Sequence, residues 1–300
     1  MRIAIVGGGE VGTAYAEAAA GDHSVTVCTP RPGRGLAERS RQAGFTVETA
    51  PGPWLAAAER VWLCVPGDIS AAVCAEVVRH LGPGAVVVDL TSSAAEDKRR
   101  SAALTEAAGS AYVDAVIMGP VSTMGARAPV VAAGPGAETA IADLAALGAP
   151  VTVLPHSSIG DAAILKLLRT VLSKGLEALA VECLVAAEQA GVRTALYDAL
   201  GDIDATGFTG FLDLLVTSHV RHSPRRQLEV ERAADQLRAL GLSTTMTSAA
   251  GEVFSRSACR RAAAPPPTAA GLEPPAALSW LREAHRPREA GPTEAGPAAR

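Results

Sequence analysis

The stretch IAIVGGGEVG, Ile3 to Gly12, limits what this chain can fold into more than any other. An apolar run enters three glycines in the spacing GxGxxG, Gly7, Gly9 and Gly12, and Glu10 and Val11 then lead into the alanine-rich AYAEAAA. Strand, tight turn and helix are expected in that order. Each glycine has a physical task. Gly7 makes the turn, Gly9 lets a phosphate approach bare backbone, and Gly12 lets helix and strand pack closely. A helix beginning there presents unpaired N–H groups and the positive end of its dipole to an anion. The expected ligand is the pyrophosphate of a dinucleotide, held at Gly7, Gly9, Glu10, Val11 and Gly12.

Further strands and helices alternate through the first half, which reads as a Rossmann-like α/β domain over residues 1–157. The second strand, HSVTVCTP, ends at Cys28 and Thr29, where such domains usually place the acid that holds the ribose 2′-hydroxyl of NAD. Thr29 stands there instead, with Arg31 and Arg34 just beyond. A hydroxyl and two cations suit a 2′-phosphate, so NADP is preferred over NAD as cofactor; an ordinary solvated arginine loop is the plain alternative. VWLCVPGD, Val61 to Asp68, is a strong strand ending in a Pro-Gly turn, where Val65 and Pro66 would lie against the nicotinamide-side ribose. AVVVDLTSSA repeats the pattern and brings Thr91 and Ser92 to the carboxyl edge of the sheet, the substrate side, although helix capping explains such hydroxyls equally well. YVDAVIMGPV is a sixth strand and turn, and PVVAAGP and VTVLP close the sheet.

From Gly160 the apolar spacing becomes helical: Ile164, Leu165, Leu168, Val171, Leu172, Leu176 and Leu179. A helical domain is expected over 158–261, with further helices near 194–200, 208–219, 226–240 and 249–263. Lys166 interrupts the apolar start of the long helix. Spaced by four, Lys166, Thr170 and Lys174 share one helical face and can point into one cleft. A lysine is rarely buried unpaired, so Lys166 either snorkels to solvent or works in that cleft. As a working group it takes a hydroxyl proton as hydride leaves carbon, or returns one in reduction. His222 and Arg225, in the cationic stretch SHVRHSPRRQLEVE, are candidates for an anionic substrate group; ion pairs along a solvated helix are the alternative. Residues 262–300 hold eight of the 20 prolines and read as a flexible tail, with Trp280 as its one anchor.

Several function classes are set aside. The net charge is −4 and the arginines cluster only locally, which gives no footprint for nucleic acid. Apolar segments are broken by charge, glycine or proline before the length of a membrane span. Five cysteines lie without metal-ligand spacing, so no metal site is expected. Met1 leads straight into the first strand, and a reducing cytoplasmic compartment is expected.

GGGEVG, VPGD, DLTSS, VDAVIMGP and GDAAILKLLRTVLSKGLEALAVE together resemble the β-hydroxyacid dehydrogenase superfamily, which includes 3-hydroxyisobutyrate and 6-phosphogluconate dehydrogenases. KGLEALAVE and RHSPRRQLEVE resemble the branch carrying a DUF1932-type C-terminal domain. The likeness covers about residues 1–260. It implies a Rossmann domain joined by a long helix to an all-helical domain, and homodimers formed through the helical part. Around Phe208, Phe211, Leu212 and Leu215 that part carries apolar surface to bury. It also implies hydride transfer between NAD(P) and a small hydroxy or keto acid, with Lys166 as general acid/base. Where the family has K-x-x-x-N, Thr170 takes the asparagine position. Met118 and Gly119 stand where a substrate-binding serine and its glycine are usual, followed by Pro120, and Thr91 replaces the asparagine of a DLNS-like strand end. With two carboxylate-holding groups altered, reaction class is firmer than substrate. An imine or related C=N/C=C reductase of the same fold is one alternative, against which Lys166 argues; a non-catalytic dinucleotide sensor is another.

Overall fold

The computed structural model describes residues 1–286 other than Arg34, Thr206, Pro265 and 267–271. The chain divides into two compact units, Met1–Leu172 and Ser173–Arg300. The first unit contains residues 1–157, the expected Rossmann-like domain, and extends into the long helix that follows them.

In the first unit, β1 (Arg2–Val6) turns through the glycine loop into α1 (Glu10–Ala19), and β2 (Ser24–Cys28), α2 (Leu36–Ala43) and β3 (Thr46–Glu48) follow. The chain then forms β4 (Arg60–Leu63), α3 (Ser70–Val78), β5 (Val86–Asp89), α4 (Ala95–Ala107) and β6 (Ala111–Ile117). A short α5 (Val121–Met124), β7 (Val130–Ala133), α6 (Ala137–Ala146) and β8 (Val151–Val153) complete the sheet, and α7 (Asp161–Gln189) leaves it. Among the described residues the sheet has eight strands in the order β3-β2-β1-β4-β5-β6-β7-β8, parallel throughout except between β6 and β7.

Apolar runs make these strands because both faces of the sheet are covered. Alternate residues of β1 serve opposite cores: Ile3 and Ile5 pack with Tyr15 and Ala16 of α1, while Ala4 and Val6 pack with Leu63 and Val77. Trp62 of β4 meets the edge of Tyr15 with ring centroids 5.8 Å apart and planes at 82°. Such a T-shaped pair contributes about 0.5–1.5 kcal/mol beyond its buried area. From β1 the chain builds outward to β3 and then returns to β4 on the other side of β1. The carboxyl ends of β1 and β4 therefore flank a crevice, the place where open α/β sheets take ligands.

The second unit consists of the later turns of α7 with α8 (Arg193–Ala199), α9 (Gly201–Asp204), α10 (Phe208–Ala239), α11 (Thr245–Ala263) and α12 (Pro274–Ala284). Glu182 of α7 caps α11 by accepting the N–H groups of Met246 and Thr247, both at 2.9 Å. Two helices were expected where α10 is one. It runs through Pro224, which has no N–H to give the carbonyl of Val220 one turn earlier. Arg261 Nη1 donates to that carbonyl at 2.9 Å instead. Part of the segment expected to be a flexible tail is also ordered as α12, where Ala277 and Trp280 are buried with Leu272 against Val220.

The leucine stripe of α7 is exposed rather than covered. Leu168 is 62% exposed, Val171 72%, Leu176 51% and Val181 61%.

Candidate active site

Steric fit explains the glycine loop at the crevice. A Cβ on Gly12 would stand 1.8 Å from the carbonyl oxygen of Gly7, and one on Gly7 would stand 2.3 Å from that of Cys64. Gly7 also holds φ at 116°, a conformation that L side chains rarely adopt. Gly9 has nothing within 4 Å of its missing Cβ, so open space lies over it at the start of α1, which has no side-chain cap. A cavity of about 540 Å³ opens from this loop, bounded by Gly9, Thr29, Pro30, Pro51, Val65 and Ile69. Thr29, buried at the end of β2, donates its backbone N–H to Glu48.

A second cavity of about 320 Å³ shares Cys64, Val65 and Pro66 with the first. Glu10, Val11, Thr91, Ser92, Gly119 and Lys166 also line it. Lys166, half-buried, is held below the usual lysine range by burial first, then by the neighbouring charges of Lys98 and Arg169. Burial, with help from Asp89, pushes the Cys64 thiol up, so it is no ready thiolate.

Beneath this cavity lies a charged cluster that reading the sequence missed. Lys98 is fully buried. Its Nζ donates to the carbonyls of Asp89 at 3.0 Å and Ala115 at 2.9 Å, and forms an ion pair with Asp114 Oδ1 at 2.8 Å. Asp89 Oδ1 is 3.6 Å from the same ammonium and accepts the N–H of Thr91 at 2.8 Å. Asp89 Oδ2 accepts the Tyr112 hydroxyl at 2.6 Å. Asp114 Oδ2 accepts the N–H groups of Gly160, Ala162 and Ala163, at 2.9, 3.1 and 3.3 Å, and so caps α7 one turn before Lys166. One signal was available: Asp89 and Asp114 interrupt the buried runs VVVD and YVDAVI, and a buried carboxylate requires a partner. Lys98 itself lies at helical spacing with Ser101, Ala102 and Thr105 on the buried face of α4, a face too polar to be recognised by hydropathy.

Other predicted residues fall elsewhere. Thr170 is exposed and its hydroxyl donates to the Lys166 carbonyl at 2.9 Å. Met118 packs with Val116, Ala133 and Ala162, and exposed Pro120 stands just before α5; neither lines the cavity that Gly119 lines. Arg31 is exposed and does not line the larger cavity, and Arg34 lies outside the described residues. Lys174, His222 and Arg225 belong to the second unit. There Lys174 pairs with Glu177 at 2.6 Å and Arg225 with Glu229 at 2.8 Å, while His222 is exposed.

Residues 2–151, half of the chain, match the family model of the NAD binding domain of 6-phosphogluconate dehydrogenase. The chain belongs to that family. Residues 187–257 match a domain of unknown function, DUF1932. No curated protein matches the chain. Among solved structures, a conserved hypothetical protein from Sinorhizobium meliloti 1021 is 25% identical, with a TM-score of 0.58 over 95% of this chain and 96% of that one. The conserved protein MTH1747, of unknown function and structurally similar to 3-hydroxyacid dehydrogenases, is 25% identical, with a TM-score of 0.59 over 87% of this chain and 98% of that one. A reductive aminase from Aspergillus terreus, in complex with NADPH and ethyl levulinate, is 20% identical with a TM-score of 0.72, over 94% of this chain and 99% of that one. The fold is that of an NAD(P)-binding dehydrogenase. The close approaches around Gly7 and Gly12 and the open space over Gly9 fit the dinucleotide phosphates that this family binds.

Proposed function

We propose that the protein is an NADP-preferring oxidoreductase that moves a hydride to or from a small carboxylate-bearing hydroxy or keto acid. The observation that carries this reading is Lys166: a half-buried lysine whose affinity for a proton is lowered, lining a cavity that shares its wall with the glycine-loop cavity. Gly7, Gly9, Glu10, Val11 and Gly12 would hold the pyrophosphate, and Val65 and Pro66 the ribose beside the nicotinamide. The bound nicotinamide supplies or accepts the hydride. Lys166 Nζ handles the proton. In oxidation the neutral amine takes the hydroxyl proton as the carbonyl forms; in reduction the ammonium gives a proton to the carbonyl oxygen as the C–H bond forms. Thr91, Ser92 and Gly119 would position the substrate.

A second reading is an imine reductase. Among the described residues that line the smaller cavity, Lys166 is the one cation, so a substrate carboxylate would compete for the group that transfers the proton. A neutral or imine substrate makes no such demand.

Fluorescence titration with NADPH and NADH, followed by a panel of hydroxy acids, keto acids and cyclic imines, separates the readings. Tighter NADPH binding and turnover of an acid are expected. Turnover confined to imines would establish the second reading, and binding without any turnover would favour a dinucleotide sensor.

A further inference from the structure

We propose that Lys98 is a positioning residue for proton transfer, tying the strand end that carries Thr91 to the helix start that carries Lys166. This rests on the reading of Lys166 as the proton-transfer group. The argument begins with valence. An ammonium has three protons: Lys98 donates hydrogen bonds to the carbonyls of Asp89 and Ala115 and pairs by charge with Asp114 Oδ1 at 2.8 Å. The side chain is fully buried. None of those partners lines the smaller cavity, so Lys98 acts through the groups it holds.

Each flanking carboxylate has a second task. Asp89 fixes the N–H of Thr91, at the rim of the smaller cavity. Asp114 fixes the N–H groups of Gly160, Ala162 and Ala163, which set where α7 begins and hence where Lys166 stands on it. A carboxylate at a helix start is favoured by the dipole and by the unpaired N–H groups. Two buried carboxylates this close would repel without a cation between them. Lys98 is that cation, and it joins two walls of one cavity through two short polar arms.

Its charge also acts on Lys166. The titratable groups around Lys166 are Lys98 on α4 and Arg169 on α7, with Glu10 and Cys64 lining the same cavity. After burial, Lys98 is the first of the charges that lower the Lys166 pKa. Removing the Lys98 charge should therefore raise it, leaving less neutral amine at a given pH. A residue that served folding alone would leave the Lys166 titration where it was.

The test is trace acetylation of the full chain with isotope-labelled acetic anhydride across a pH series, with Lys166 read by peptide mass spectrometry. Lys98→Met should move the Lys166 midpoint upward by about one pH unit, the size of a nearby partly buried charge effect. Lys98→Arg retains the charge and should return the midpoint toward wild type. Should Lys98→Met fail to fold, Lys98→Gln removes the charge while keeping an N–H donor for the carbonyls of Asp89 and Ala115 and leaving both carboxylates in place. An unchanged midpoint in a folded Lys98→Met or Lys98→Gln variant overturns the proposal. So does an equal shift in Lys98→Arg, or the failure of Lys98→Gln to fold as well, which would make Lys98 a folding residue only. The labelling reads the link between the two lysines. Turnover of Lys166→Met reads the role of Lys166 itself, so the two ideas fail separately.

Discussion

At the scale of a residue, a charge in an apolar helix has to be explained by where its ammonium goes. Lys166 goes to the wall of a cavity, and burial with Lys98 and Arg169 weakens its hold on a proton. Lys166→Met keeps an apolar stem and removes the proton carrier. Folding and NADPH binding should survive while turnover falls by about 100- to 10,000-fold, as for loss of a general acid or base. Because the group matters mainly in the transition state, kcat and kcat/KM should fall together, which steady-state kinetics on the true substrate will show. The sign of the pH dependence follows. Oxidation needs the neutral amine, so its rate should drop as pH falls through a value below the usual lysine range. Reduction needs the ammonium, so its rate should drop as pH rises through the same value. Lys166 was legible in the sequence because it breaks a periodic apolar pattern. Lys98 was not, since what makes it special is supplied by Asp89 and Asp114 on two separate strands, and only the folded sheet brings them together. Thr170 was legible as a neighbour of Lys166, but a helix lets a threonine hydroxyl turn back to the carbonyl four residues earlier, and here it does.

At the scale of an element, the loop after β2 is where the two cofactors part company. The residue after β2 is a threonine rather than an acid, and Thr29 lines the cavity next to the glycine loop. An acid there would hold the 2′-hydroxyl of NAD and repel the 2′-phosphate of NADP. Arg31 follows and is exposed, and its long side chain can reach a phosphate that enters. Replacing Arg31 and Arg34 with alanine should weaken NADPH binding at least tenfold while NADH binding changes little, since each charge-assisted phosphate contact is worth roughly 1.5–3 kcal/mol. Equal weakening in the two fluorescence titrations would show that the arginines do not read the phosphate. The strands and the glycine turn were legible because each is specified locally, by apolar runs and by sterically required glycines. The continuity of α10 was not. Pro224 marks a break by every local rule, and the helix passes through it with Arg261, from another helix, donating to the carbonyl that Pro224 leaves without its usual partner.

At the scale of the whole molecule, the exposed apolar surface of the helices is the feature that a single chain leaves unexplained. Along α7 the exposed side chains include Leu168, Val171, Leu176, Leu179, Val181 and Val185, and on α10 Phe208 and Leu215. Monomeric proteins rarely expose continuous apolar patches beyond a few hundred Å². Among the described residues no helix is long and apolar enough to cross a membrane. We propose that a second copy of the chain covers these exposed side chains: a two-fold pair is the commonest closed assembly and buries the same surface on both partners. Sedimentation equilibrium at micromolar concentration should therefore give twice the 30.4 kDa chain mass. A variant carrying Leu176→Glu and Val181→Glu, both at positions already exposed, should sediment as a folded monomer. A wild-type chain that is monomeric at micromolar concentration would sink the proposal, as would a folded double variant that still pairs. A truncation that tests whether the last residues contribute to pairing should fall after Arg286, beyond α12. Cutting at Arg261 would strip α12, with Trp280 and Ala277, from Val220, and any loss of pairing would then report damage to the helical unit instead of the contact between copies.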